Sequence, residues 1–153
     1  MAELVLDTWA LTISQDCTHA KALQTLSLLE EIKQGHRITI DHGRTVLTQY
    51  FNNTSANSHA GQWLKLILSR SNKIFWRTGK LSNRHESELV NGLGFDRSDL
   101  VFVALASEAP DKLLVAEESD YTPEVKAYLS NQLGVAVLTI EEALAAARTL
   151  HQS

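Results

Sequence analysis

The chain is poor in the residues that staple or stiffen small proteins: one cysteine, two prolines and one methionine in 153 residues. A single thiol, Cys17, excludes an internal disulfide and a cysteine-rich zinc site, and we read it as a small filler. No apolar run approaches the roughly 18 residues of a membrane span. At the amino end Glu3 and Asp7 interrupt the first turn, and no basic region precedes an apolar one, so no signal peptide is expected. A cytoplasmic address and no membrane partner follow as expectations. Repeats, low-complexity segments and linkers are also missing, which leaves one domain large enough to bury its own core.

Acid is missing from one long interval. Between Asp41 and Glu86 the only charged residues are Arg44, Lys65, Arg70, Lys73, Arg77, Lys80 and Arg84, while all 18 acids lie elsewhere. A net charge of −4 would repel nucleic acid, yet this segment would attract it. Trp63, Phe75 and Trp76 are interleaved with these charges, and exposed rings can stack on unpaired bases. Trp63 sits in an apolar helical pattern and reads as core. Trp76, beside Lys73 and Arg77 in an irregular stretch, is open to either reading. His42 and His85 adjoin the segment without a spacing that demands catalysis.

What is present is an alternation of strands and helices. Leu4-Val5-Leu6 is an apolar run suited to a strand buried on both faces. Residues 18–34 predict a helix, with Leu23, Leu26, Leu29 and Ile32 on one face and Gly35 as its cap. Arg37 to Asp41 predicts a second strand. Short helices are expected at 43–51, with Val46, Leu47, Tyr50 and Phe51 inward, and at 60–70, separated by a polar loop. Residues 71–82 are irregular, with 73–77 extended. A helix is expected over 83–91, ending at Gly92, and an apolar one opens near Asp96 and closes before Pro110. Residues 112–116 form a buried strand, Thr122-Pro123-Glu124 starts a helix that Gly134 ends, and residues 135–138 form the last strand. Thr139 and Glu142 then make a capping box for the final helix. This pattern predicts a single-domain α/β three-layer sandwich, with helices flanking a parallel sheet of about four or five strands.

Carboxylates recur at the strand ends. Asp7 follows the first strand, Glu117, Glu118 and Asp120 follow the strand at 112–116, and Asp96 and Asp99 open the apolar helix between them. In an open parallel sheet, ligands bind beyond the carboxyl ends of the strands. Two readings of Asp7 are open: a functional carboxylate there, or a cap for the turn that follows. Asp96 and Asp99 likewise suit a first helical turn. Converging carboxylates repel one another, and an oxygen-ligated cation such as Mg²⁺ or Mn²⁺ relieves that repulsion.

The order of these motifs resembles the PIN-domain family of small metal-dependent nucleases. Leu4-Val5-Leu6-Asp7-Thr8, the acid-led helix Asp99-Leu100-Val101-Phe102-Val103-Ala104-Leu105-Ala106, and Leu114-Val115-Ala116-Glu117-Glu118-Ser119-Asp120-Tyr121 carry the likeness, which spans most of the chain. The resemblance implies that Asp7, Asp99 and Glu118 are catalytic and hold Mg²⁺ or Mn²⁺, with Asp120 a further ligand and Asp96, Asp41 and Gln49 as alternates. It implies cleavage of single-stranded RNA by metal-activated water, with Arg44, Lys65, Arg70, Lys73, Trp76, Arg77, Lys80 and Arg84 gripping the strand.

One position departs from the family pattern. Where a glutamate is usual on the helix after the second strand, the sequence has Gln49, which offers a carbonyl oxygen but no charge and no base. That departure keeps two further readings in view: a PIN-like module that binds RNA or protein without catalysis, and a toxin-type nuclease held by an antitoxin. A homodimer is also left open.

Overall fold

The computed structural model describes residues 1–16, 18–116 and 121–152. Five parallel strands form one sheet: β1 Glu3–Leu6, β2 Arg37–Asp41, β3 Ile74–Arg77, β4 Leu113–Val115 and β5 Ala136–Leu138, in the order β3-β2-β1-β4-β5. Eight α-helices stand among the described residues: α1 Thr8–Ile13, α2 Ala22–Gly35, α3 Thr45–Asn53, α4 His59–Leu68, α5 Asn83–Ser87, α6 Leu100–Glu108, α7 Pro123–Tyr128 and α8 Ile140–Gln152. The architecture is the expected α/β sandwich. None of these helices is long and apolar enough to cross a membrane.

The strand order fixes where a ligand can sit. The chain runs outward from β1 to β2 and β3, then returns to place β4 on the other side of β1, so the order reverses between β1 and β4. At such a switch point the loops part and leave a crevice beyond the strand ends. Asp7 is the first residue past β1, and its amide donates to the carbonyl of Val115 on β4 at 3.0 Å.

Helix α2 packs against α8, and α6 lies over β1, β2 and β4. Leu28, Leu29 and Ile32 of α2 are fully buried, each stabilising the fold by about 1.5–3 kcal/mol. His36 ties this side together: its Nδ1 accepts from the Ala2 amide at 2.9 Å, so its Nε2 donates to the Ala147 carbonyl at 2.8 Å. Trp63 is buried and donates from Nε1 to the Leu29 carbonyl at 2.7 Å, as its helical pattern suggested.

Three local expectations need correction. Leu23 is 75% exposed, because a three-residue spacing slips about 60° per step on a helix of 3.6 residues per turn; Leu23 and Ile32 therefore face opposite ways. Phe51 is likewise exposed rather than inward. The segment before residue 22 is not the start of α2 but follows the separate short helix α1, which Asp7 caps. The helix expected over 83–91 is present, with α5 continuing as a wider helical turn over Glu88–Gly92.

Candidate functional site

Three distant stretches meet at the switch point. Asp7, Thr8, Trp9 and Thr12 from the start of α1, Gln49 and Asn53 from α3, and Asp96, Ser98 and Asp99 from the turn before α6 line one open cleft of about 310 Å³. The sequence named Asp7, Gln49, Asp96 and Asp99 for this place, and the fold brings these four together. Thr8, Thr12 and Asn53 were missed. Their signal was spacing, since Thr8 and Thr12, like Gln49 and Asn53, are four residues apart and so share a helix face.

Asp7 is 3% exposed. Its Oδ1 accepts from the Trp9 amide at 3.2 Å, which caps α1. One side chain therefore both caps α1 and lines the cleft. Below it, Tyr50 donates its hydroxyl to the Leu6 carbonyl at 2.5 Å. Burial, and then the charges of Asp7 and Asp41, push the Tyr50 phenol far above the usual tyrosine range. The hydroxyl thus stays protonated and holds the strand end still.

Gln49 is engaged at both ends of its amide: Oε1 accepts from Thr8 Oγ1 at 3.0 Å, and Nε2 donates to the Ser98 carbonyl at 3.4 Å. It therefore links α1 to the turn before α6. Asp96 caps that turn by accepting from the Ser98 amide at 2.9 Å and the Ser98 hydroxyl at 2.8 Å. The amide bond first, and then the hydroxyl, hold its carboxyl below the usual aspartate range. Asp99, half-buried, ends the same turn.

Asp41 lies elsewhere. It accepts from the Thr45 amide at 3.0 Å and the Val46 amide at 2.9 Å, one bond to each oxygen, and so caps α3. It lines a second cleft of about 440 Å³ with His42, Gly43, Thr45, Thr78, Gly79, Lys80 and Val101. Gly79 has φ of +70°, and a Cβ there would come within 2.9 Å of the Asp41 Cβ, so the turn that closes this cleft requires glycine. The expectations placed on Glu118 and Asp120 fall outside the described residues. Among the described residues, no group of three His, Cys, Asp or Glu side chains is close enough to hold a metal.

The basic segment does not form one surface. Lys73 is buried, and its ammonium caps α2 by donating to the Ile32 carbonyl at 3.4 Å and the His36 carbonyl at 3.1 Å. Burial lowers its pKa. Arg77 pairs with buried Glu3 at 2.7 and 2.9 Å. Both side chains are thus spent on the fold, contrary to the contact with RNA expected of them. Arg84 is exposed and pairs with Glu88 at 3.2 Å. Lys65 and Arg70 are exposed on α4 and just after it. Arg44 stands over Trp76 at 5.9 Å, and Lys80 lines the second cleft. No family model matches this chain, and no curated protein or solved structure matches it significantly.

Proposed function

We propose that the cleft beyond β1 is the divalent-cation site of a ribonuclease resembling the PIN-domain family, acting on single-stranded RNA. The observation that supports this reading is the meeting of Asp7, Gln49 and Asp99, from three separate stretches, in one polar cleft at the switch point of the sheet. Mg²⁺ is commonly bound by only one or two carboxylates and keeps several waters. Asp7 and Asp99 offer two carboxylates and Gln49 a neutral oxygen, a donor set that fits such a hydrated ion. Glu118, or Asp120, would add a further acid. When bound, Mg²⁺ or Mn²⁺ supplies a polarised water and offsets the charge that builds on the phosphate.

The chain's own residues do the positioning. The cap on Trp9 and the bond to Val115 hold Asp7, and the Thr8–Gln49–Ser98 chain holds the walls at a fixed separation. Gln49 takes no proton, so any base in the cleft is a carboxylate. A second reading has its own observation. With both ends of the Gln49 amide in use, the site carries one charge fewer than the family pattern, which suits a binding module without catalysis. Cleavage of an end-labelled single-stranded RNA with Mn²⁺ tests both. Activity in the wild type that Asp7→Asn abolishes supports the nuclease. An inert wild type beside an active Gln49→Glu supports the binding module, and inertness in both refutes the nuclease.

A further inference from the structure

We propose that Trp76, with His42, Arg44 and Lys80, is a subsite that stacks one unpaired nucleobase and takes its phosphate, beside the acidic cleft rather than within it. This rests on the reading above for the identity of the ligand, an unpaired RNA strand, but not on any metal.

Trp76 lies on β3, the edge strand, and is 40% exposed. The His42 ring lies nearly parallel to it, at 15° with centroids 6.3 Å apart. The Arg44 guanidinium stands over the indole at 5.9 Å from its centroid. A ring left 40% exposed beside a cation suits a base, because every base has a π face and the flanking charge attracts the phosphate that accompanies it. Lys80 lines the adjoining cleft and is exposed. Two acids nearby are held by the fold: both Asp41 oxygens accept amides of α3, and Glu108 binds the Thr78 hydroxyl and the Gly79 amide.

The backbone adds an independent observation. Arg44 has φ of +61°, in the left-handed region where a residue with a Cβ is strained by about 1–2 kcal/mol and glycine is not. The fold nevertheless has arginine here, with glycine one position earlier. Strain kept at one residue whose side chain then reaches an exposed ring points to a function for that side chain.

The two clefts adjoin along one helix. Thr45 lines the second cleft, and Gln49 and Asn53 line the first. These residues are four apart on α3 and so form one face, rising about 6 Å per step. Across the sheet, β3 stands two strands from β1, about 10 Å. A strand seated with one base on Trp76 therefore has its neighbouring phosphates directed along α3 towards Asp7 and Asp99.

The test is fluorescence anisotropy of a labelled ten-nucleotide oligouridine, in EDTA so that no metal contributes. Wild type is expected to bind it more tightly than a duplex of the same length. Trp76→Ala should weaken binding about tenfold, and Trp76→Phe should keep most of it. Lys80→Ala should lower the slope of log affinity against log salt by about 0.7. Arg44→Gly should weaken binding while leaving the melting temperature unchanged or raised. The assay holds no metal and reads binding alone, so failure of the nuclease reading would leave these results intact. Equal binding by wild type and Trp76→Ala, or no binding by wild type, overturns the subsite. So does a wild-type dimer that Trp76→Ala dissolves without any effect of oligouridine, because the face would then serve a second copy of the chain.

Discussion

Replacing Arg77 by methionine keeps most of the aliphatic stem and removes the guanidinium. Glu3 would then be left 4% exposed with the Thr39 hydroxyl, at 2.6 Å, as its remaining side-chain hydrogen bond. Removing one partner of a buried ion pair costs about 3–5 kcal/mol. The Arg77 side chain is 23% exposed and Thr39 stays in place, so the expected loss is smaller, about 2–3 kcal/mol. For a chain of this length that lowers the melting temperature by about 4–12 °C. The loss should depend on pH in a set direction. Burial alone raises the Glu3 carboxyl, but the bonds from Arg77 and Thr39 and the charges of Arg77 and Arg37 outweigh it and hold Glu3 below the usual glutamate range. A depressed carboxyl contributes stability that is complete above its unfolded value and is lost as pH falls through its folded one. The gap between wild type and Arg77→Met should therefore be widest near neutrality and narrow on acidification through the glutamate range. Chemical denaturation at several pH values measures it. A loss under about 1 kcal/mol, or one independent of pH, would refute the placement of Arg77 in the fold. So would a variant of unchanged stability whose oligouridine affinity collapses.

Other consequences are shorter to state. Tyr50 should not ionise below the unfolding transition, and Tyr128, pushed up to about 12 by burial and its bond to Glu88, should ionise late. In an alkaline titration read at 295 nm, Tyr50→Phe should remove no amplitude near pH 10, and a lost third of the signal would contradict the burial. Gly61→Ala should destabilise by several kcal/mol, because its Cβ would fall 2.1 Å from the Ser55 carbonyl oxygen; denaturation that barely changes would show the loop before α4 to be adaptable. Trp63→Phe should cost about 1–2 kcal/mol through its lost bond to Leu29, with oligouridine affinity per folded molecule unchanged. A selective loss of affinity would move Trp63 from core to interface.

What the sequence made legible follows from length and periodicity. The buried strands, α2 and the final helix carry strong local signals, and the alternation of strand and helix implied the parallel sheet. Helix α1 has six residues, too few for an apolar period to show, and it depends on the Asp7 cap instead. Asp7, Asp96 and Asp99 were findable because each stands at an element's start, whereas Gln49, midway along α3, was found only through the family resemblance. Asp41 lines the second cleft rather than the first, and a strand-end aspartate looks the same in sequence in either place. Lys73 and Arg77 were misread for a related reason: charge along the chain does not reveal that one cation caps a helix and another pairs with Glu3, 74 residues away. Trp63 is buried as its local pattern suggested, and Trp76, whose pattern allowed either reading, is exposed.

The central claim is that Asp7 and Asp99 share a cation, and calorimetric titration of Mn²⁺ addresses it most directly. Asparagine caps a helix about as well as aspartate, so Asp7→Asn should keep its melting temperature and change only the charge in the cleft. Saturable binding to wild type that is lost in Asp7→Asn and Asp99→Asn is the predicted result; no saturable binding to wild type, or equal binding to all three proteins, would contradict it.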